Sequence, residues 1–282
     1  MTKIITITSA CLALMLTACS KEQTTQPIQS DVDNTTEHNQ TLRIAAAANL
    51  SDVLPEIIAG YKTDKSLPVQ EIEVTYASSG KLYAQIISGA PYDIFLSANQ
   101  EFPAKLAKEK LDNLKSADKT TYQPFTYTQG QLALYSTTKS LQGLNPTALN
   151  ELLTTGSDSK ITIANPELAP YGQSAQAYLQ AQNIFDTLTE QNRIIQAENI
   201  GQAFQYAHTG NVDYGFVAQS QLTAIKATPE QFYTLAPESY AAILQDGIVL
   251  SYATAATDFS NYLRAPAGQQ YFAKAGYLVV DR

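Results

Sequence analysis

The main body of this chain lacks cysteine. Both cysteines of the 282-residue sequence, Cys11 and Cys19, lie close to the N-terminus. The rest of the chain therefore has no disulfide and no thiolate that could act as a nucleophile or a metal ligand. Positive charge is also scarce, because 18 Lys and Arg residues stand against 26 Asp and Glu residues. A protein without a broad basic surface binds nucleic acid poorly, so we expect no nucleic-acid partner.

The N-terminal segment lacks a hydrophobic run of membrane-spanning length. After Lys3 its apolar stretch covers roughly a dozen residues, whereas a spanning helix needs about 18 to 20. This pattern predicts an export signal over residues 1–18. The segment ends in "LTAC" (Leu16–Cys19), which resembles a bacterial lipobox and implies a lipid on Cys19 that anchors the mature chain to a membrane. The alternative is an ordinary secretory signal with a chance cysteine. Residues 19–40 are polar and predict a flexible tether.

Beyond residue 40, strand patterns alternate with helical patterns, and the 44% hydrophobic content is enough for a sizeable core. Strands are predicted at "LRIAAAA", "EIEVTYAS" and "YDIFLSA" with helices between them, an order that indicates a parallel sheet. A second α/β set runs from "SKITIANP" to "VDYGFVA", and a strand and a helix follow it. We predict two α/β lobes, residues 41–127 plus 240–282 and residues 128–239, with a ligand cleft between them.

Four of the predicted helices begin with small or amide side chains and without an acidic residue. Their starts read "AAAANLS", "YASSGKL", "APYGQSA" and "AENIGQA". The first N–H groups of a helix have no partner inside it and carry partial positive charge, so each start can hold an anion. Any one of them is also explained by an N-cap such as Asn49, Ser78, Ser79 or Asn199. Four such starts together indicate a cage of uncharged donors around an anion.

These segments, in this order, resemble the molybdate-binding proteins of bacterial ABC uptake systems. The resemblance runs from about Leu42 to the C-terminus, and its most specific block is "SSGKLYAQIISGAPYDIFLSA". It implies the type II periplasmic-binding-protein fold of the α/β class, in which two lobes with mixed sheets are joined by a two-strand hinge. It also implies that molybdate or tungstate is bound fully dehydrated by neutral donors, with no cofactor and no metal beyond the molybdenum of the oxyanion.

The resemblance assigns binding roles to Ala48, Asn49, Ser79, Tyr171 and Ile200. Ser79 matches a serine that donates both its hydroxyl and its N–H, and Tyr171 and Ile200 match backbone N–H donors. One position departs from the family, since Ala218 stands where some members have an anion-contacting tyrosine. Either the Tyr171 hydroxyl substitutes for that tyrosine or one contact is missing.

The implied function is a receptor rather than an enzyme. We expect an exported, lipid-anchored monomer, periplasmic or at the cell surface, that delivers molybdate to an ABC permease and its ATPase. A receptor for sulfate or another tetrahedral oxyanion is the first alternative, because sulfate shares the charge and shape of molybdate. A lipid-anchored hydrolase is a remote one, since the chain has no G-x-S-x-G motif and His208 is the single histidine after the tether. The 17 tyrosines suggest an adhesive lipoprotein, although tyrosines spread in this way usually line cores and clefts.

Overall fold

The computed structural model describes residues 41–112, 122–155 and 158–280. The predicted signal peptide over residues 1–18, the lipid on Cys19 and the tether over residues 19–40 lie outside the described residues and stay predictions. Within the described part, no helix combines the length and the apolarity needed to cross a bilayer.

The described residues form two five-stranded sheets. Their strands are β1 (Leu42–Ala47), β2 (Ile72–Ala77), β3 (Ile94–Leu96), β4 (Phe125–Gly130), β5 (Leu132–Tyr135), β6 (Ile161–Ala164), β7 (Ile194–Ala197), β8 (Tyr214–Ala218), β9 (Phe232–Thr234) and β10 (Ile243–Val249). The order is β2-β1-β3-β10-β4 in the first sheet and β7-β6-β8-β5-β9 in the second. Both sheets are mixed, because β1, β2 and β3 run parallel, as do β6, β7 and β8, while β10 and β5 run antiparallel to their neighbours.

Helices follow most of the strands. They are α1 (Leu54–Asp64), α2 (Ser79–Ile87), α3 (Glu101–Asp112), α4 (Pro146–Thr155), α5 (Pro170–Ala181), α6 (Phe185–Glu190), α7 (Ile200–His208), α8 (Gln219–Ala224), α9 (Thr254–Arg264) and α10 (Pro266–Lys274), together with 3-10 turns at Ala48–Leu50 and Pro237–Ser239. The turn after β1 and the helices α2, α5 and α7 all begin at the carboxyl ends of parallel strands. In open α/β sheets this is the edge at which ligands bind.

The chain passes between the sheets twice. Strand β4 of the first sheet is followed after Gln131 by β5 of the second, and β9 of the second sheet leads through the turn Pro237–Ser239 back to β10 of the first. The pairing of β10 with β4 shifts register between Gln245 and Asp246. The last strand therefore returns to the first sheet and lies beside the strand through which the chain left it.

Each sheet is covered on both faces. In β1, Ile44 and Ala46 pack in a cluster with residues of α1, α9 and α10, whereas Ala45 packs on the other face with α2 and α3. Strand β5 divides its side chains in the same way between two clusters of the second sheet. Strands buried on both faces show continuous apolar runs rather than alternation, which explains "LRIAAA" and "YGFVA".

The predicted fold class is confirmed, with local differences. Helix α1 begins at Leu54, so Pro55 lies in its first turn, where its missing N–H costs nothing, and a 3-10 turn precedes the helix. Helix α5 likewise begins with a proline, Pro170, in its first turn. The predicted single C-terminal helix is two helices, because Pro266 holds the preceding Ala265 in an extended conformation.

Candidate functional site

A small cavity lies where the carboxyl ends of the parallel strands of both sheets face each other. The centre of a water-sized sphere can move within about 10 Å³ of it, which is close to the minimum for one water molecule. The lining residues are small or neutral: Ala47, Ala48, Asn49, Ala77, Ser78, Ser79, Ala98, Ala169, Pro170, Tyr171, Asn199 and Ile200. The structure thus brings all five residues predicted to bind, Ala48, Asn49, Ser79, Tyr171 and Ile200, to one cavity.

On the side of the first sheet, the ends of β1 and β2 hold the first two contributing segments. Ala47 and Ala77 are register partners at these ends, so the 3-10 turn and helix α2 begin side by side. Asn49 lies inside the turn and is fully buried. It is therefore not an N-cap of α1, contrary to the alternative explanation from the sequence.

The two serines at the start of α2 differ in their partners. Ser79 Oγ accepts a hydrogen bond of 2.9 Å from the backbone N–H of Ala98. Because that bond occupies a lone pair, the hydroxyl hydrogen of Ser79 remains available to a ligand. Ser78 Oγ is buried and has no hydrogen-bond partner in the protein. The sequence suggested Ser78 only as a cap, but no side-chain capping bond forms there.

On the side of the second sheet, α5 and α7 present their first turns. Gly172 lets α5 approach the end of β6, since a Cβ atom there would lie 2.0 Å from the carbonyl oxygen of Ala164. Asn199 caps α7 as predicted, because its Oδ1 accepts a 3.0 Å bond from the N–H of Gln202. The N–H groups of Tyr171 and Ile200 lie in the first turns, where no carbonyl of the same helix can accept from them.

None of the lining residues carries a charged side chain. The positive potential of the cavity comes from the first peptide groups of α2, α5 and α7, whose dipoles point their positive ends towards it. Lys81 does not line the cavity, and its ammonium group contacts the carboxylate of Glu198. Asp52 follows the 3-10 turn, and burial raises the pKa of its carboxyl.

Behind Asn49 lies a buried cluster of amides and phenols, which we call the tyrosine–amide cluster: Asn49, Tyr127, Tyr171, Gln245 and Tyr277. Asn49 Nδ2 donates to Gln245 Oε1 and to the Tyr277 hydroxyl, both at 3.0 Å. The Tyr277 hydroxyl donates in turn to the backbone carbonyl of Asn49 at 2.7 Å. Asn49 Oδ1 is buried and has no hydrogen-bond partner in the protein. The sequence did not indicate Gln245 or Tyr277, because they lie 196 and 228 positions after Asn49 in the chain.

Burial raises the pKa of the three tyrosines in this cluster. Desolvation is the largest cause in each case, since a phenolate would lose its hydration there. The hydroxyls therefore stay neutral and place no negative charge beside the cavity.

The Tyr171 hydroxyl accepts a 3.2 Å bond from Gln245 Nε2 and lies against Gly130. Ala218, the departure from the family pattern, is fully buried, and its N–H donates to Gln221 Oε1 at 3.0 Å. The same Gln221 donates through Nε2 to the carbonyl of Ile200 at 3.2 Å. Gln221 thus links the segment around Ala218 to the start of α7.

His208 ends α7 and does not line the cavity. Its Nδ1 lies 2.9 Å from the hydroxyl of Tyr135, and its ring stacks on Phe204 with centroids 5.1 Å apart. Over residues 41–112, 122–155 and 158–280, no group of three or more His, Cys, Asp or Glu side chains is arranged to hold a metal ion.

Comparisons with known proteins agree on one family. The family described as bacterial extracellular solute-binding protein matches residues 42–278. The chain is 30% identical over 265 residues to the molybdate-binding protein ModA of Rhodobacter capsulatus, covering 86% of this chain and 99% of that protein. The solved periplasmic molybdate-binding protein of Azotobacter vinelandii has a TM-score of 0.73 and 28% identity, covering 85% of this chain and all of that one. YvgL of Bacillus subtilis, provisionally assigned as an ABC transporter substrate-binding lipoprotein, is 27% identical over 94% of this chain and 93% of its own length.

Proposed function

Because the chain belongs to the bacterial extracellular solute-binding proteins, within the group that contains the molybdate-binding proteins, we propose that it captures molybdate outside the cytoplasm and delivers it to an ABC permease and its ATPase. The observation that carries this proposal is the cavity itself, in which the starts of three helices and a 3-10 turn meet without a charged side chain.

The donor set suits a tetrahedral dianion stripped of its water. Ser79 offers a hydroxyl hydrogen to the anion, and the first turns of α2, α5 and α7 offer backbone N–H groups to it. The proposed binding set is Ala48, Asn49, Ser79, Tyr171 and Ile200. A hydrogen bond to a charged partner contributes about 1.5 to 3 kcal/mol. Six or seven such bonds give roughly 10 to 20 kcal/mol, against an association cost of about 4 to 15 kcal/mol. A submicromolar dissociation constant is compatible with this balance.

Selectivity follows from what the cavity offers. Phosphate near neutral pH carries a proton that needs an acceptor, and the proposed contacts are mostly donors. Sulfate carries no proton, so only the spacing of the donors can favour the longer metal–oxygen bonds of molybdate. Tungstate has the same charge and shape as molybdate, and we include it in the proposal.

The lobes of this receptor would be residues 41–127 plus 240–282 and residues 128–239. Their proposed boundaries fall close to the two passages of the chain between the sheets, β4 to β5 and β9 to β10. Closure about these passages would assemble the donors from both sides and give the permease a surface to recognise.

The proposed location is extracytoplasmic, with a lipid on Cys19 holding a monomer to a membrane through residues 19–40. The "LTAC" sequence and the lipoprotein assignment of the Bacillus subtilis relative support this anchor. We propose no catalytic role, because a solute-binding protein acts by capture and release.

Calorimetric titration of the purified protein tests the proposal. Molybdate, tungstate, sulfate and phosphate are titrated separately at neutral pH. We expect submicromolar binding of molybdate and tungstate, and binding of sulfate and phosphate that is at least about a hundredfold weaker, a difference of about 2.7 kcal/mol. Tight sulfate binding without a molybdate response would replace the proposed ligand, and no response to any of the four would end the receptor hypothesis.

A further inference from the structure

We propose that Gln245 is a positioning residue for the ligand, which ties the two sides of the cavity together through its neutral amide. This inference rests on the proposed function, because it concerns the affinity of the same cavity for its oxyanion. Gln245 lies on β10, one of the strands beside the passages between the sheets, and does not itself line the cavity.

The amide of Gln245 is fully buried and uses both of its polar atoms. Its Oε1 accepts from Asn49 Nδ2 at 3.0 Å and from the Tyr127 hydroxyl at 3.1 Å. Its Nε2 donates to the Tyr171 hydroxyl at 3.2 Å. Asn49 belongs to the turn after β1, whereas Tyr171 belongs to α5 of the second sheet. One side chain therefore joins the two cavity residues that come from opposite sides.

Two features of the backbone make room for this amide. The register of β10 against β4 shifts between Gln245 and Asp246, and such a shift re-aims the side chains next to it. On β4, Gly130 leaves the space open, because a Cβ atom there would lie 2.1 Å from the Tyr171 hydroxyl and 2.8 Å from Gln245 Nε2. Both the bulge and the glycine thus serve the contact between Gln245 and Tyr171.

The chemistry of the contact requires an uncharged group with both a donor and an acceptor. An ionised carboxylate could accept hydrogen bonds from Asn49 and Tyr127. Its negative charge, however, would lie directly behind the residues that contact the oxyanion. A thioether has no hydrogen to donate to Tyr171, and its sulfur is only a weak acceptor for Asn49 and Tyr127. Because Gln245 Oε1 and the Tyr277 hydroxyl accept both hydrogens of Asn49 Nδ2, the proposed contact of Asn49 with the oxyanion is its backbone N–H.

The variants Gln245→Met and Gln245→Glu test this role against Gln70→Met as a matched control. Gln70 is also buried, but it precedes β2 at the end of the strand remote from the cavity. Titration with molybdate between about pH 6.5 and 9 is the measurement, because molybdate remains a dianion there. Circular dichroism and urea unfolding check that each variant folds.

We expect the wild type and Gln70→Met to bind with a constant affinity over this pH range. Gln245→Met is expected to bind at least about tenfold more weakly at every pH. Gln245→Glu should bind better at the acidic end, where the new carboxyl is protonated and mimics the amide, and lose at least about tenfold towards the alkaline end. A merely structural role would not produce this pH dependence.

The titratable groups around position 245 are the hydroxyls of Tyr127, Tyr171, Tyr240 and Tyr277 and the carboxyls of Asp52 and Asp246. They are the same in all variants, so the wild-type profile is the reference for them. If the wild type binds but Gln245→Met stays within twofold of Gln70→Met, or Gln245→Glu shows a flat profile, the inference is wrong. If Gln245→Met does not fold, the profile of Gln245→Glu decides alone. If the wild type does not bind molybdate, it is the proposed function that fails.

Discussion

At the scale of single residues, the neighbouring serines of "ASSG" have separate tasks. Ser79 has a structural contact and a free donor at the same time. Its Oγ accepts a hydrogen bond from the N–H of Ala98, and its hydroxyl hydrogen remains available to a ligand in the cavity. Ser78 has no such partner, and its buried hydroxyl is satisfied by nothing in the protein. A buried polar group without a partner costs stability, so its presence at the cavity is consistent with use by a ligand.

This difference predicts different effects of the two substitutions on the stability of the unliganded protein. Ser79→Ala leaves the N–H of Ala98 without an acceptor and is expected to lower the free energy of unfolding by about 1 to 3 kcal/mol. Ser78→Ala removes an unsatisfied group and is expected to leave that free energy unchanged or slightly higher. Urea unfolding without ligand measures both.

Both serine variants are expected to weaken molybdate binding by roughly 10- to 150-fold, which corresponds to one charge-assisted hydrogen bond of about 1.5 to 3 kcal/mol. Ser88→Ala, at the far end of α2, is the control and should change neither quantity. A Ser78→Ala protein that binds as tightly as the wild type would show that this hydroxyl is not a ligand contact.

At the scale of the elements, helix starts supply the potential that charged side chains would otherwise supply. Among the described residues, an ion pair joins Lys81 of α2 to Glu198 before α7, and these side chains are 48% and 46% exposed. An exposed ion pair contributes about 0 to 1 kcal/mol and is screened by salt. The affinity for the ligand should therefore depend far more on the helix dipoles and the serine hydroxyls than on Lys81.

We accordingly predict that Lys81→Ala changes the affinity for molybdate by less than about fivefold, or about 1 kcal/mol. Titrations at low and high ionic strength measure this effect. Lys105→Ala breaks a comparable exposed pair with Glu101 inside α3, away from the cavity, and is the matched control. A loss of more than tenfold for Lys81→Ala at low salt, with Lys105→Ala unchanged, would mean that the lysine supplies charge to the anion.

At the scale of the whole molecule, the buried tyrosine hydroxyls make the free energy of unfolding decrease at alkaline pH. Burial raises the pKa of Tyr76 and Tyr178 to about 12, and it also raises the pKa of Tyr127, Tyr171 and Tyr277. In the unfolded chain a tyrosine ionises near pH 10. A pKa that is higher in the folded state stabilises the protein fully below the unfolded value, and this stability is lost as the pH rises above it.

The free energy of unfolding should therefore be nearly independent of tyrosine ionisation up to about pH 9 and fall steadily between about pH 10 and 12. Urea unfolding across this range, followed together with the absorbance of tyrosinate, measures the effect. Tyr252→Phe, at a side chain that is 79% exposed, serves as the control and should follow the wild type. Tyrosinate absorbance that rises fully near pH 10 before the protein unfolds would contradict the burial of these hydroxyls.

Some features of this protein follow from local patterns in its sequence, and others depend on the tertiary structure. The alternation of apolar strands with helices and the small residues at the helix starts are local properties of the chain. The sequence alone therefore determined the α/β class and predicted an uncharged anion site. The family resemblance assigned binding roles to Ala48, Asn49, Ser79, Tyr171 and Ile200, and the structure places all five around one cavity, while their contact with an anion stays a prediction.

Only the tertiary structure decided what supports these residues. The unpartnered hydroxyl of Ser78, the space left by Gly130 and the bridge from Gln245 to Asn49 and Tyr171 depend on strands that the sequence separates widely. Hydrogen bonds between such distant side chains leave no periodic pattern in a chain, since they form only after both sheets have folded and met.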